Sequence, residues 1–94
     1  MDNNYNITTI KALVKECLGI ISTATGKDNE IETLIYAAIA DMDRIGIVIN
    51  LENSLQKAAI IQYVKGNFGM IEINEKELCL RSYNLLITSL QLQV

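Results

Sequence analysis

The side chains that could carry chemistry are few, and their spacing works against it. Asp41 and Asp43 lie two residues apart on a stretch with helical periodicity, so their carboxylates point to different sides and cannot share a proton or a metal ion. They are expected on a solvated face. Glu72, Glu75 and Glu77 gather at the start of another helix, where the positive end of the macrodipole favours negative charge without any further role. Cys17 and Cys79 are isolated, with no C-x-x-C pair, and the sequence contains no histidine, the commonest metal ligand and acid–base residue. Both thiols are expected to be buried and free, as suits a reducing compartment. No catalytic, cofactor-binding or metal-ligating residue is expected, and the chain does not read as an enzyme.

One glycine-containing stretch has the composition of a phosphate-binding loop but not its spacing. Tyr63-Val64-Lys65-Gly66-Asn67-Phe68-Gly69 matches neither G-x-x-x-x-G-K-[ST] nor G-x-G-x-x-G, the two patterns that cradle phosphates. A structural account is simpler: Gly69 ends a helix, Phe68 anchors that end in the core, and Gly66 lets another backbone come close. A contact of Lys65, Gly66 and Asn67 with a neighbouring subunit or partner is the alternative.

The elements that must position these residues follow from composition and periodicity. The 94 residues are half apolar and contain no proline and no tryptophan, which suits helices, and a single domain of this size buries roughly 60–65% of its unfolded surface. The net charge is −3, with eight basic residues and no run of them, so a clustered phosphate-binding face is not expected. No basic stretch leads into an apolar one at the N-terminus, and no apolar run reaches membrane-spanning length. A soluble chain with no membrane contact is the expectation.

Residues 1–7 are expected as a flexible, Asn-rich tail and residues 8–94 as one helical domain. The first, short helix is capped by Thr8 or Thr9, presents Ile10, Leu13, Val14 and Leu18, and stops at Gly19. A loop follows over Ser22-Thr23-Ala24-Thr25-Gly26. Asp28 caps the second helix, Glu30 and Glu32 sit in its first turn, and Gly46 stops it; Ile31, Leu34, Ile35, Ala38, Ile39, Met42 and Ile45 form its core stripe. Ile47 to Leu51 is read as an extended connector packed on the core. Asn53 or Ser54 caps a third helix that is apolar nearly all round and therefore central. Asn74 and Glu77 suggest a capping box for a fourth helix reaching about Leu90, with Leu78, Cys79, Tyr83, Leu86, Ile87 and Leu90 inward. The predicted fold is thus all-α: a small bundle of four helices, one short and three longer, with an extended connector between the second and third.

Two surfaces stand out as interfaces. Leu80 and Leu85 fall roughly 110° to either side of the fourth helix's inner stripe, which makes the apolar band wider than one small core requires. On the second helix, Thr33, Tyr36, Ala37, Ala40 and Arg44 lie opposite the core stripe, as a helix-docking surface or as an ordinary solvent face.

A resemblance adds to this reading. The short helix ending at Leu18-Gly19, the run Ile31-Glu32-Thr33-Leu34-Ile35-Tyr36-Ala37-Ala38-Ile39-Ala40-Asp41-Met42 leading to Gly46-Ile47, the run Leu55-Gln56-Lys57-Ala58-Ala59-Ile60-Ile61-Gln62-Tyr63-Val64-Lys65-Gly66-Asn67-Phe68-Gly69, and Arg81-Ser82-Tyr83-Asn84-Leu85-Leu86 together resemble the small head-tail connector (adaptor) proteins of tailed phages. The resemblance covers about Leu18 to Leu90. Its most specific part is Ala59 to Gly69 with Tyr83, so that Tyr63, Phe68, Gly69 and Tyr83 read as the family's structural motif. The extended, apolar Ile47 to Leu51 connector departs from the pattern.

The resemblance implies a homo-oligomeric ring of about a dozen copies, closed by a heterologous interface, that docks beneath the portal protein after DNA packaging. The ring would receive a head-completion or tail component and let DNA pass through its lumen without sequence-specific binding. Its place would be the virion head-tail junction, reached from the host cytoplasm during assembly. Tyr36, Ala37, Ala40, Arg44, Lys65, Gly66, Asn67, Leu80 and Leu85 are the residues expected at subunit or partner contacts. A small helical DNA-binding regulator is the alternative, but the second and third helices are joined by more residues than a helix-turn-helix tolerates, and neither has a basic side.

Overall fold

Helix-forming composition and three clean stop signals produce the architecture. The computed structural model describes residues 5–92, which form α1 (Thr8–Cys17), α2 (Asp28–Arg44), α3 (Ser54–Asn67) and α4 (Ile73–Leu92), with no strand among the described residues. Gly19 (φ 74°) and Gly46 (φ 94°) occupy the left-handed region. Each is followed by an N–H reaching five residues back, Ile20 to the Lys15 carbonyl and Ile47 to that of Met42, so both helices end in the glycine-dependent turn expected of them. The third stop differs. Phe68, not a left-handed glycine, leaves α3 in an extended conformation (φ −74°, ψ 131°) and turns its ring into the core.

The caps only partly follow the sequence reading. Asn53 Oδ1 accepts the Gln56 N–H at 3.0 Å and caps α3 as expected. Thr8 and Thr9 do not cap α1. Ile7 holds the N-cap position and Asn6 Oδ1 accepts the Thr8 N–H at 3.1 Å. Ile7 is itself 8% exposed, so the tail assigned to residues 1–7 ends sooner than expected; residues 1–4 lie outside the described residues. Asp28 is the first residue of α2 and not its cap, because its carboxylate is drawn to two lysines of α1. Asn74 lies inside α4 and donates its N–H to Glu72 Oε1 at 2.7 Å, so Glu72 replaces the expected Asn74–Glu77 box.

Packing explains why α3 is central. Val14, Ile31, Ile35, Ala38, Met42, Ala59, Ile60 and Val64 are fully buried, and α3 contacts each of the other three helices, most extensively α4. Burying side chains of this size contributes about 1.5–3 kcal/mol each for the larger ones. The α4 stripe is corrected at one end: Cys79, Tyr83 and Leu90 are buried and Leu86 and Ile87 partly so, but Leu78 is 57% exposed. In the connector between α2 and α3, Ile47 is buried and Ile49 and Leu51 pack against the core, whereas Val48 points outward.

Candidate interaction surface

Among the described residues no cluster of His, Cys, Asp and Glu could hold a metal ion, and no helix is long and apolar enough to cross a membrane. Cys79 is buried, as expected, and burial pushes its thiol pKa up. Cys17 is exposed, contrary to expectation: its spacing from Ile10 and Val14 sets it on their face of α1, but it is the last residue of that helix. An open groove of about 890 Å³ runs along α1, the following loop and the start of α2, past Lys11, Lys15 and Asp28. Its two α1 lysines are already matched by carboxylates: Lys11 with Glu32 (2.6 Å) and Asp28 (3.2 Å), and Lys15 with Asp28 (3.0 Å). These bonds hold Asp28 below the usual carboxylate range, Lys15 contributing first, and raise the pKa of Lys11, Glu32 contributing first.

Each of the three connections is pinned by one side chain from a helix. Lys15, 5% exposed, donates to the carbonyls of Ser22 (3.1 Å) and Ala24 (2.6 Å) as well as to Asp28. Gln56, 4% exposed, accepts the Asn50 N–H at 2.9 Å and donates to the Val48 carbonyl at 2.9 Å. Glu30 Oε2 accepts the Gly69 N–H at 2.9 Å. Buried polar groups need such partners, and here the partners are loop backbones.

The carboxylate assigned to a solvated face has a different task. Asp41 Oδ2 accepts the Tyr83 hydroxyl at 2.6 Å and Oδ1 accepts Arg44 Nη2 at 2.6 Å, tying α2 to α4 past the edge of α3. The Tyr83 hydroxyl, then Arg44, holds the Asp41 pKa below its ordinary value; burial, then Asp41, raises that of Tyr83. Tyr63 meets Tyr83 edge to face, with centroids 5.1 Å apart and planes at 67°, a geometry that the ring quadrupoles favour. Tyr63, Phe68, Gly69 and Tyr83 therefore sit at the α3–α4 junction. Asp43 is exposed.

The expected contact residues divide between interior and surface. Gly66 is buried against Leu80: a Cβ there would stand 2.5 Å from Leu80 Cδ2 and 3.4 Å from its backbone N. Gly66 serves α3–α4 packing within the chain and offers nothing to a partner. Leu80 is half-buried in the same contact. Lys65 is half-buried with its Nζ 3.8 Å from Glu75, and the Asn67 amide donates back to the Tyr63 carbonyl at 2.8 Å. On α2, Ala40 and Arg44 are exposed while Tyr36 and Ala37 are half-buried, Tyr36 packing on the core.

Leu85 is 68% exposed, and it is not alone. Leu78 (57%) and Leu92 (82%) are also exposed, and the three lie seven residues apart on α4. At about 20° of drift per seven residues, they share an arc of roughly 40° on the side away from the core. Ile21, Val48, Met70 and Ile73 add further exposed apolar side chains elsewhere. The seven-residue spacing is visible in the sequence, but assigning Leu78 to the inner stripe conceals it. No family model, curated protein or solved structure matches the chain.

Proposed function

We propose that the protein is a structural subunit of the head-tail junction of a tailed phage or prophage, assembling into a connector ring beneath the portal. One observation carries the assembly part of this reading: large apolar side chains, with Leu78, Leu85 and Leu92 in register along α4, remain 57–82% exposed. Isolated exposed apolar residues are ordinary, whereas an aligned row of them calls for a covering surface. The phage part rests on the resemblance over Leu18 to Leu90, whose most specific residues form the α3–α4 junction. Exposed Ala40 and Arg44 on α2, Asn67 at the end of α3 and Leu85 on α4 are the remaining candidates for contacts with sister subunits, portal or a head-completion component. A chain of net charge −3 without a basic run suits a lumen through which DNA slides without being gripped.

Native mass spectrometry of the chain mixed with a portal ring from the same source tests the proposal. The expected result is a stable complex carrying about one copy per portal subunit, the stoichiometry that matched closed symmetry requires. A chain that never joins the portal ring at any concentration overturns it. Salt-dependent binding to duplex DNA in place of portal binding would favour the regulator reading.

A further inference from the structure

We infer that α1 and the connection after it, residues 18–27, form a strap that opens as a unit while α2, α3 and α4 stay folded, with Lys15 as its clasp. The polar ties of the fold divide along that line. Asp41 with Tyr83, Glu30 with the Gly69 N–H, and Gln56 with the connection between α2 and α3 bind the last three helices to one another and use no residue of α1. Lys11 and Lys15 bind α1 to Asp28 and Glu32 at the start of α2. Neither of these carboxylates takes part in the other three ties.

Apolar attachment is divided as unequally. From α1 only Ile10 and Val14 are apolar and buried, with Ile7 just ahead of the helix. The most extensive packing joins α3 to α4, and α1 touches α2 and α3 far less. The open groove of about 890 Å³ leaves part of its surface unpacked. A segment with so few contacts of its own opens at lower free energy than the whole domain. At 10 residues α1 is also too short to persist as a helix when undocked, so the strap melts as it lifts. Opening draws Ile7, Ile10 and Val14 out of the core they share with Ile31 and Ile35 and bares the surface of α2 and α3 beneath.

One amine holds the strap shut at three points. Lys15 Nζ donates to the Ser22 and Ala24 carbonyls of the connection and to Asp28 Oδ1 of α2, and its burial keeps away the water that would replace these bonds. Losing that amine frees the end of α1, the connection and their hold on α2 together, which makes the two segments one unit. Exposure of the apolar surface under α1 is thereby a local event and needs no unfolding of the other helices. This device goes beyond the assembly reading and does not depend on it.

Amide hydrogen exchange of the full chain near neutral pH, read residue by residue, tests the strap. After correction for intrinsic rates, the amides from Lys11 to Leu18, which bond back along α1, are expected to exchange at least about tenfold faster than those in the middle of α3 and α4. Tyr83→Phe weakens the three-helix part alone. It should speed exchange in α3 and α4 about 5- to 30-fold and leave α1 unchanged, because lifting the strap never breaks that bond. Lys15→Met keeps an aliphatic stem and removes the amine, and should speed α1 exchange at least about tenfold. Should that chain fail to fold, Glu32→Gln loosens only the partly exposed Lys11 pair and should speed α1 exchange about two- to fivefold. Equal protection of α1 and α3, or equal acceleration of both by Tyr83→Phe, would show a single global opening and overturn the strap. Exchange in α1 untouched by a folded Lys15→Met chain would overturn the clasp.

Discussion

Replacing Gly66 by alanine turns the α3–α4 contact into a measurement. In an ordinary helix the change stabilises by up to about 1 kcal/mol, less here because Gly66 is one residue from the end of α3. Against this stands Leu80, whose Cδ2 and Cγ would lie 2.5 and 2.6 Å from the new methyl. Those distances are inside van der Waals contact, and Cγ is too near the backbone to swing clear, so Leu80 must change rotamer or the helices must part. Overpacking of this kind costs about 1–3 kcal/mol, which leaves a net loss of about 1–2 kcal/mol. In a domain of this size that lowers Tm by about 4–8 °C per kcal/mol.

The informative step is to repeat the substitution in a Leu80→Ala background. Leu80→Ala alone removes a half-buried side chain and costs about 1–3 kcal/mol, but it also removes both close contacts. Gly66→Ala should then become neutral or stabilising. Chemical denaturation of the four proteins gives the coupling directly. Equal destabilisation by Gly66→Ala in both backgrounds would show that Leu80 is not what requires the glycine, and the packing argument would fail.

Three further outcomes are expected. Tyr83→Phe deletes the hydroxyl that Asp41 accepts; a hydrogen bond to a charged group contributes about 1.5–3 kcal/mol, and because Arg44 still bonds Asp41, the loss in a urea titration should be about 1–2 kcal/mol. Stability followed against pH should fall at both extremes. Asp28 and Asp41 have lowered folded pKa values, so their contribution is present above the unfolded value near 4 and disappears as pH drops through the folded ones. Tyr83 and Lys11 are raised, so theirs is complete below about pH 10 and declines above it; Tyr83→Phe should shrink the alkaline loss and leave the Lys11 share. Gln56→Ala leaves the Val48 carbonyl and Asn50 N–H without their partner. It should cost about 1–2 kcal/mol, within the range for an orphaned polar group, and speed hydrogen exchange at Asn50.

Periodicity makes most of the fold legible. The stripes of α1 and α2 are readable because short core contacts recur every three or four residues, and Gly19 and Gly46 mark their ends because only glycine takes a positive φ without strain. Long-range polar pairing is not readable. Nothing local distinguishes Asp41, which meets Tyr83 42 positions away, from solvent-exposed Asp43, and Asp28 has the residue type of a cap but a stronger attraction to Lys15 and Lys11. The same limit affects the candidate surface. Gly66 announces a close approach without saying whether the neighbour belongs to the same chain, and Leu78 fits the inner stripe by angle until the breadth of α3 is known. Leu85 is outward by angle alone, and its relation to Leu78 and Leu92 emerges only once the core side of α4 is fixed.

The three connections owe their shapes to Lys15, Gln56 and Glu30, all of them anchored in helices. The residues along those connections, including Ile21, Thr23, Val48 and Met70, are thereby released from dictating the path of the backbone they belong to. Their identities can drift or be selected for whatever touches them, and the scaffold would hold the same course beneath a changing outer lettering.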